Sequence, residues 1–187
     1  TGLFVLALAV FTAFALVSYL FTWQVDQSIL SESEGWSSVT YVRNIAGKLG
    51  FYWSHFLVSK LFGLGSFLLP IFFVTIAAYS LRIKRFRLFR TFYITIYGAV
   101  ILSLLLSYIF SFTNYQDLFG GGTGGSYGYL INRWLISMLG LPGAGATIAI
   151  FFIGWLISLN YKVVEWFNKV FSNLFKPREK SEEKSEE

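Results

Sequence analysis

The sequence contains no cysteine and only one histidine, His55. Disulfides and thiolate metal sites are therefore excluded. His55 alone makes no metal site, because zinc needs further nitrogen, sulfur or oxygen ligands, and a loop carboxylate such as Asp26 reaches it only by folding back. Charge is scarce as well: 13% of the 187 residues are Asp, Glu, Lys or Arg, where a soluble domain carries about 25%. Within the longest apolar runs there is no nucleophile–base pair and no carboxylate pair. The mid-membrane ionisable groups on which proton relays and ion-coupled transporters depend are missing too, which argues against an intramembrane enzyme or a coupled transporter. Phosphate-binding loops of the Gly-x-x-x-x-Gly-Lys-Ser/Thr kind are also absent. Gly120-Gly-Gly-Thr-Gly-Gly125 and Gly143-Ala-Gly-Ala-Thr147 both lack the lysine.

What the chain has instead is hydrocarbon in blocks. Hydrophobic residues make up 55% of it, aromatic residues 20%, and the mean hydropathy is +0.60. About 20 apolar residues cross a ~30 Å hydrocarbon core. On that scale the sequence predicts an all-α integral membrane protein with four spans, at residues 2–23, 57–81, 91–112 and 141–159. Tyr19 and Trp23 mark the far interface of the first span. Lys60 lies near one end of the second, where it snorkels. Pro70 falls inside that span and is expected to kink it. Thr75, Ser103 and Ser107 are read as hydroxyls of helix packing.

The chain is organised around its densest basic stretch, Arg82-Ile-Lys-Arg-Phe-Arg-Leu-Phe-Arg90. Each of its basic side chains would cost about 2.5–3.5 kcal/mol at a helix centre, so the stretch is a loop, and the positive-inside rule makes it cytoplasmic. Arg82, Lys84, Arg85, Arg87 and Arg90 are its five cations, and the tail from Lys162 carries six more. The two other loops together hold Arg43, Lys48 and Arg133. Both termini are therefore expected in the cytoplasm. Contact of this loop with DNA is the weaker reading; anionic lipid, worth about 1 kcal/mol per basic side chain near the surface, is the stronger.

The remaining segments are of mixed character. Ile45, Leu49, Tyr52 and Phe56 recur at helical spacing and predict a short amphipathic helix on the outer membrane surface. Residues 128–139 read as a short helix dipping into the outer leaflet. Residues 161–175 read as a juxtamembrane amphipathic helix, and 176–187 as a disordered charged linker. Thr1 is no initiator, so a trimmed start is expected. Small residues let helices approach closely. Gly47, Gly50, Gly63, Gly124, Gly125, Gly128, Gly140 and Gly143, with Pro70, are accordingly the candidates for helix packing or assembly.

The order of these residues resembles a known family. Asn44-Ile-Ala-Gly-Lys-Leu-Gly50 leads into Leu61-Phe-Gly63 and Leu68-Leu-Pro70, and the basic loop follows. Gly124-Gly-Ser-Tyr-Gly128 then precedes Leu139-Gly140 and Gly143-Ala144. This pattern, over residues 5–160, is similar to the N-terminal four-helix membrane domain of the FtsK/SpoIIIE DNA translocases. One departure is Asp26-Gln27-Ser28, where many members have Asp-Pro.

The resemblance implies a membrane anchor and assembly domain of a septal translocase that couples chromosome segregation to division, in the bacterial cytoplasmic membrane. It implies homo-oligomerisation, as a hexamer, and contact with other cell-division membrane proteins. ATP, magnesium and DNA would belong to a motor domain that these residues do not include, so no cofactor and no catalysis are expected here. The alternative is a free-standing multi-pass protein acting as a passive channel or lipid-binding subunit.

Overall fold

The structure is a computed structural model that describes residues 1–30, 41–83, 87–113 and 118–159. Among these residues the fold is all helical, without strands. Four helical runs are long and apolar enough to cross a membrane: Gly2–Leu30, Gly47–Ser80, Leu88–Phe110 and Gly125–Leu159. The expected helix at 161–175, the linker at 176–187, and Lys84 and Arg85 lie outside the described residues.

Helix α1 (Gly2–Asp26) runs unbroken and ends in a 3-10 turn over Gln27–Leu30. Helix α2 (Gly47–Ser54) continues as a π-helix over His55–Phe62 and then stops at Gly63. A 3-10 segment, Gly63–Phe67, leads into α3 (Leu68–Ser80). Helix α4 (Leu88–Phe110) is again unbroken. Helix α5 (Gly125–Leu159) is interrupted at Gly140, whose φ of 68° and ψ of 172° are not helical.

Two of the runs are thus divided in the same manner. A straight helix of 34 residues, as in Gly47–Ser80, would be about 51 Å long, well beyond a ~30 Å core. Gly63 divides it with φ 58° and ψ −135°, a conformation open only to glycine. Pro70 therefore does not kink a span at its middle. It sits in the first turn of α3, where its missing N–H has no helical partner to lose.

The start of α1, the end of α3, the start of α4 and the end of α5 gather at one end of the bundle. Gly2 packs against Ser80 and Leu81, and Arg90 Nη2 donates to the Ser158 carbonyl at 3.2 Å. We call this the arginine end. Helix α3 closes there in a Schellman turn: Arg82 N–H donates to Tyr79 O and Ile83 N–H to Ala78 O, both at 3.0 Å. The residue after the C-cap adopts the left-handed conformation and is usually glycine. Here it is Arg82, at φ 58°, which costs about 1–2 kcal/mol for a residue with a Cβ.

The core lies in two parts. Leu16, Tyr19, Phe51, Leu57, Val58 and Leu69 form one around α1, α2 and α3. Ile101, Leu104 and Ile148 form the other between α4 and α5. Aromatic polar atoms stitch α5 to α4 along its length. Tyr108 Oη donates to Leu141 O at 3.1 Å, Tyr97 Oη to Phe151 O at 2.9 Å, and Trp155 Nε1 to Ile94 O at 2.9 Å. Even so, α5 is peripheral: 11% of its apolar window is buried, against 33% for each of the other three runs.

Replacing Gly63 by alanine would force a Cβ into the backbone of Thr123 and Gly124. We expect Gly63→Ala to lower stability by more than about 3 kcal/mol, combining backbone strain with the clash. Gly47→Ala, at φ 69° but with nothing within 4 Å of the added carbon, should cost only about 1–2 kcal/mol. Thermal unfolding of the two variants in detergent tests this, and equal losses would contradict the packing at Gly63.

Candidate functional site

The helix break at Gly63 frees backbone groups that need partners, and the glycine-rich segment before α5 supplies them. Leu64 N–H donates to Thr123 O at 2.8 Å. Ser126 Oγ donates to Ser59 O at 2.9 Å, and Ser66 Oγ to Leu57 O at 2.6 Å. Ser103 Oγ, on α4, donates to Gly124 O. Asn132 Nδ2 donates to Leu104 O at 2.8 Å. Three elements therefore meet at one glycine–serine junction: the π-helix with its 3-10 continuation, the loop 118–125, and the middle of α4.

The junction closes only because its contacts are backbone on backbone. A Cβ on Gly124 would strike Ser103 and Ser107; one on Gly125 would come within 2.6 Å of Leu61 O; one on Gly65 would come within 2.6 Å of Ala99 O. A Cβ on Gly128 would likewise meet Ser103 and Ser107. Thr123 Oγ1 is buried without a hydrogen-bond partner among the described residues. It borders a cavity of about 10 Å³ that Ser107, Gly121, Gly122 and Tyr129 also line, about the space of one water.

A second polar cluster ties the chain before α2 back onto α1. Asp26 is 1% exposed, and its two carboxylate oxygens accept Arg43 N–H at 2.7 Å and Asn44 N–H at 3.0 Å. Asn44 Nδ2 donates to Ala15 O at 3.1 Å, and Ile45 N–H to Ser18 Oγ at 2.9 Å. Tyr19 joins the two clusters. Its hydroxyl donates to Phe119 O and lies 3.0 Å from His55 Nδ1. A phenol has one proton, so with that proton on Phe119 O the imidazole must donate from Nδ1.

These polar groups hold backbone segments in place. Among the described residues no three His, Cys, Asp or Glu side chains gather as metal ligands. His55 faces Tyr19 and Phe51, not Asp26.

Most of the glycines singled out by sequence are used within the chain. Gly50, Gly63, Gly124, Gly125 and Gly128 lie against other segments. Gly47 and Gly140 have left-handed backbones and open surroundings, and Gly143 meets only Leu139 of its own turn. Of the predicted amphipathic face, Ile45, Leu49 and Phe56 are exposed, whereas Tyr52 is half-buried against the core around α1. Arg82, Arg87 and Arg90 are exposed at the arginine end.

Sequence reasoning missed the anchoring role of Asp26 and the carbonyl partners of Ser126 and Asn132. A signal was present in a repeat at an offset of 78 positions. Gly47, Gly50, Leu57, Ser59, Leu61 and Gly65 recur as Gly125, Gly128, Leu135, Ser137, Leu139 and Gly143. Phe51 and Ser54 have Tyr129 and Asn132 as counterparts. The structure repeats with the sequence. Each copy starts at a positive-φ glycine, packs its second glycine on the preceding long helix (Gly50 on Ala15, Gly128 on Ser103), and breaks at Gly63 or Gly140.

A family model described as the 4TM region of DNA translocase FtsK/SpoIIIE matches residues 1–171. No curated protein and no solved structure matches the chain.

Asp26→Ala would leave two buried backbone N–H groups without an acceptor, so a loss of about 1–3 kcal/mol is expected. Tyr19→Phe removes one hydroxyl between two partners and should cost about 1 kcal/mol. Thermal unfolding in detergent, with limited proteolysis around residues 41–46, reads both. An Asp26→Ala protein with unchanged unfolding and cleavage would show that the carboxylate does not hold this segment.

Proposed function

The chain belongs to the FtsK/SpoIIIE family as its four-transmembrane region, and from that premise we propose that it is the membrane anchor and assembly domain of a septal DNA translocase. The full protein couples chromosome segregation to cell division in this reading, and the present region is non-catalytic. ATP, magnesium and DNA are handled by a motor domain outside these residues. The domain resides in the bacterial cytoplasmic membrane at the division septum. It assembles as a homo-oligomer, a hexamer by family resemblance, and contacts other division proteins.

The observation that carries this reading is the family match over nearly the whole membrane region. The bundle's chemistry supports it. Residues 2–25, 61–81, 91–110 and 134–159 contain no Asp, Glu, Lys, Arg or His, and the side chains of Ser66, Ser103 and Asn132 between the helices donate to carbonyls of the chain itself. Such a bundle fits a scaffold better than a conduit for charge.

Topology follows from the arginine end. Residues 82–90 and both termini are cytoplasmic, by the positive-inside rule. The half-helices 47–62 and 125–139 then lie at the outer face, as interfacial or re-entrant segments.

Three measurements test the proposal. Fluorescent-protein fusions after residues 87 and 159 should light up, and alkaline phosphatase fusions after residues 30 and 127 should be active; the reverse pattern would invert the topology. Purified residues 1–187 should show ATP turnover at background. A fluorescent fusion of the same residues should concentrate at division septa in the source cells, and an even membrane distribution would overturn the septal assignment.

A further inference from the structure

A groove runs between α3 and α4 at the arginine end. Phe72 and Ile76 of α3 and Leu88, Phe89 and Phe92 of α4 line it, all of them apolar, around a volume of about 240 Å³. Phe72 and Phe92 meet with ring centroids 5.5 Å apart. Phe89 is 93% exposed, and Ile83 beyond the end of α3 is 74% exposed. The volume of the groove suits a length of hydrocarbon chain.

Cations frame the same end. Arg82 follows Leu81, the C-cap of α3, Arg87 immediately precedes α4, and both are exposed. Among the described residues no hydrogen bond or ion pair engages either guanidinium, whereas Arg90 is turned to Ser158 of α5. Arg82 also holds a backbone position that favours glycine (φ 58°). A guanidinium kept where the backbone disfavours any side chain points to a use for that side chain outside the fold.

We propose that this groove and its arginine rim form a binding site for one anionic phospholipid, with an acyl chain along Phe72, Ile76 and Phe92 and the phosphate at Arg82 and Arg87. Guanidinium groups match phosphate in charge and geometry, forming paired charge-assisted hydrogen bonds. Neutral headgroups give the rim no net charge to meet. The site deepens the cytoplasmic placement of residues 82–90 and rests on it for the leaflet from which the lipid comes.

The test is native mass spectrometry of the detergent-solubilised chain titrated with phosphatidylglycerol, phosphatidylcholine or inorganic phosphate. Phosphatidylglycerol should be retained in preference to phosphatidylcholine, and inorganic phosphate should not be retained. Arg82→Gly relieves the left-handed backbone, so its unfolding temperature without lipid should be unchanged or higher, while its phosphatidylglycerol retention falls about tenfold, the loss of one strong charge-assisted contact. Phe89→Ser, at an exposed position, should fold normally and also retain less. Equal retention of both lipids, undiminished retention in both variants, retention of free phosphate, or lipid-free dimers in place of lipid adducts would each overturn the site. The assay does not depend on orientation. Lipid retained as expected by a chain whose fusions invert the topology would refute the leaflet assignment and leave the site standing.

Discussion

Wherever a chain leaves the helix inside hydrocarbon, its N–H and C=O groups must be met by protein, because no water is there to meet them. Much of this fold follows from that demand at one place, the break at Gly63. The 3-10 and π-helical turns around it release carbonyls at Leu57 and Ser59, and serine hydroxyls from the same chain take them. The freed Leu64 N–H finds Thr123 O. The Leu64–Thr123 bond needs two backbones at contact distance, and glycines stand beside it on both sides, Gly63 on one and Gly124 and Gly125 on the other. The glycine loop is thus the complementary surface of a broken helix.

The same demand explains the buried carboxylate. The chain returning over residues 41–46 lies against α1 with its N–H groups turned toward that helix. Asp26, Ser18 and Asn44 satisfy them one by one. Asp26 is the last residue of α1, at the end of the apolar run and close enough to the returning chain to be covered by it.

Physical chemistry made some of this readable in the sequence and hid the rest. The apolar helices Gly2–Asp26 and Leu88–Phe110 were legible because hydrocarbon rejects charge, and the stretches 2–23 and 91–112 hold none. The direction of the chain within an apolar run was not, since hydropathy reports the solvent of a residue and says nothing of where the helix axis points. Residues 57–81 read as one span for that reason, although Gly63 divides them. Pro70 read as a kink because its neighbours are apolar on both sides; only the break before it shows that a helix starts there. Single glycines carried little weight, yet their recurrence at a constant offset (Gly47 and Gly50, then Gly125 and Gly128) contained the architecture of both half-helices. The comparison of the chain with itself is what exposes it.

The break at Gly63 also bears on the surrounding bilayer. Helix α3 has 13 residues, a length of about 20 Å, and the 3-10 segment Gly63–Phe67 before it adds about 10 Å. The run beyond Gly63 alone therefore matches a hydrocarbon core of ~30 Å. The half-helix 47–62 is surplus to that length, and its outward Leu49 and Phe56, with Ile45 just ahead of it, form an apolar edge that a lipid leaflet can cover without stretching or thinning around the longer α1.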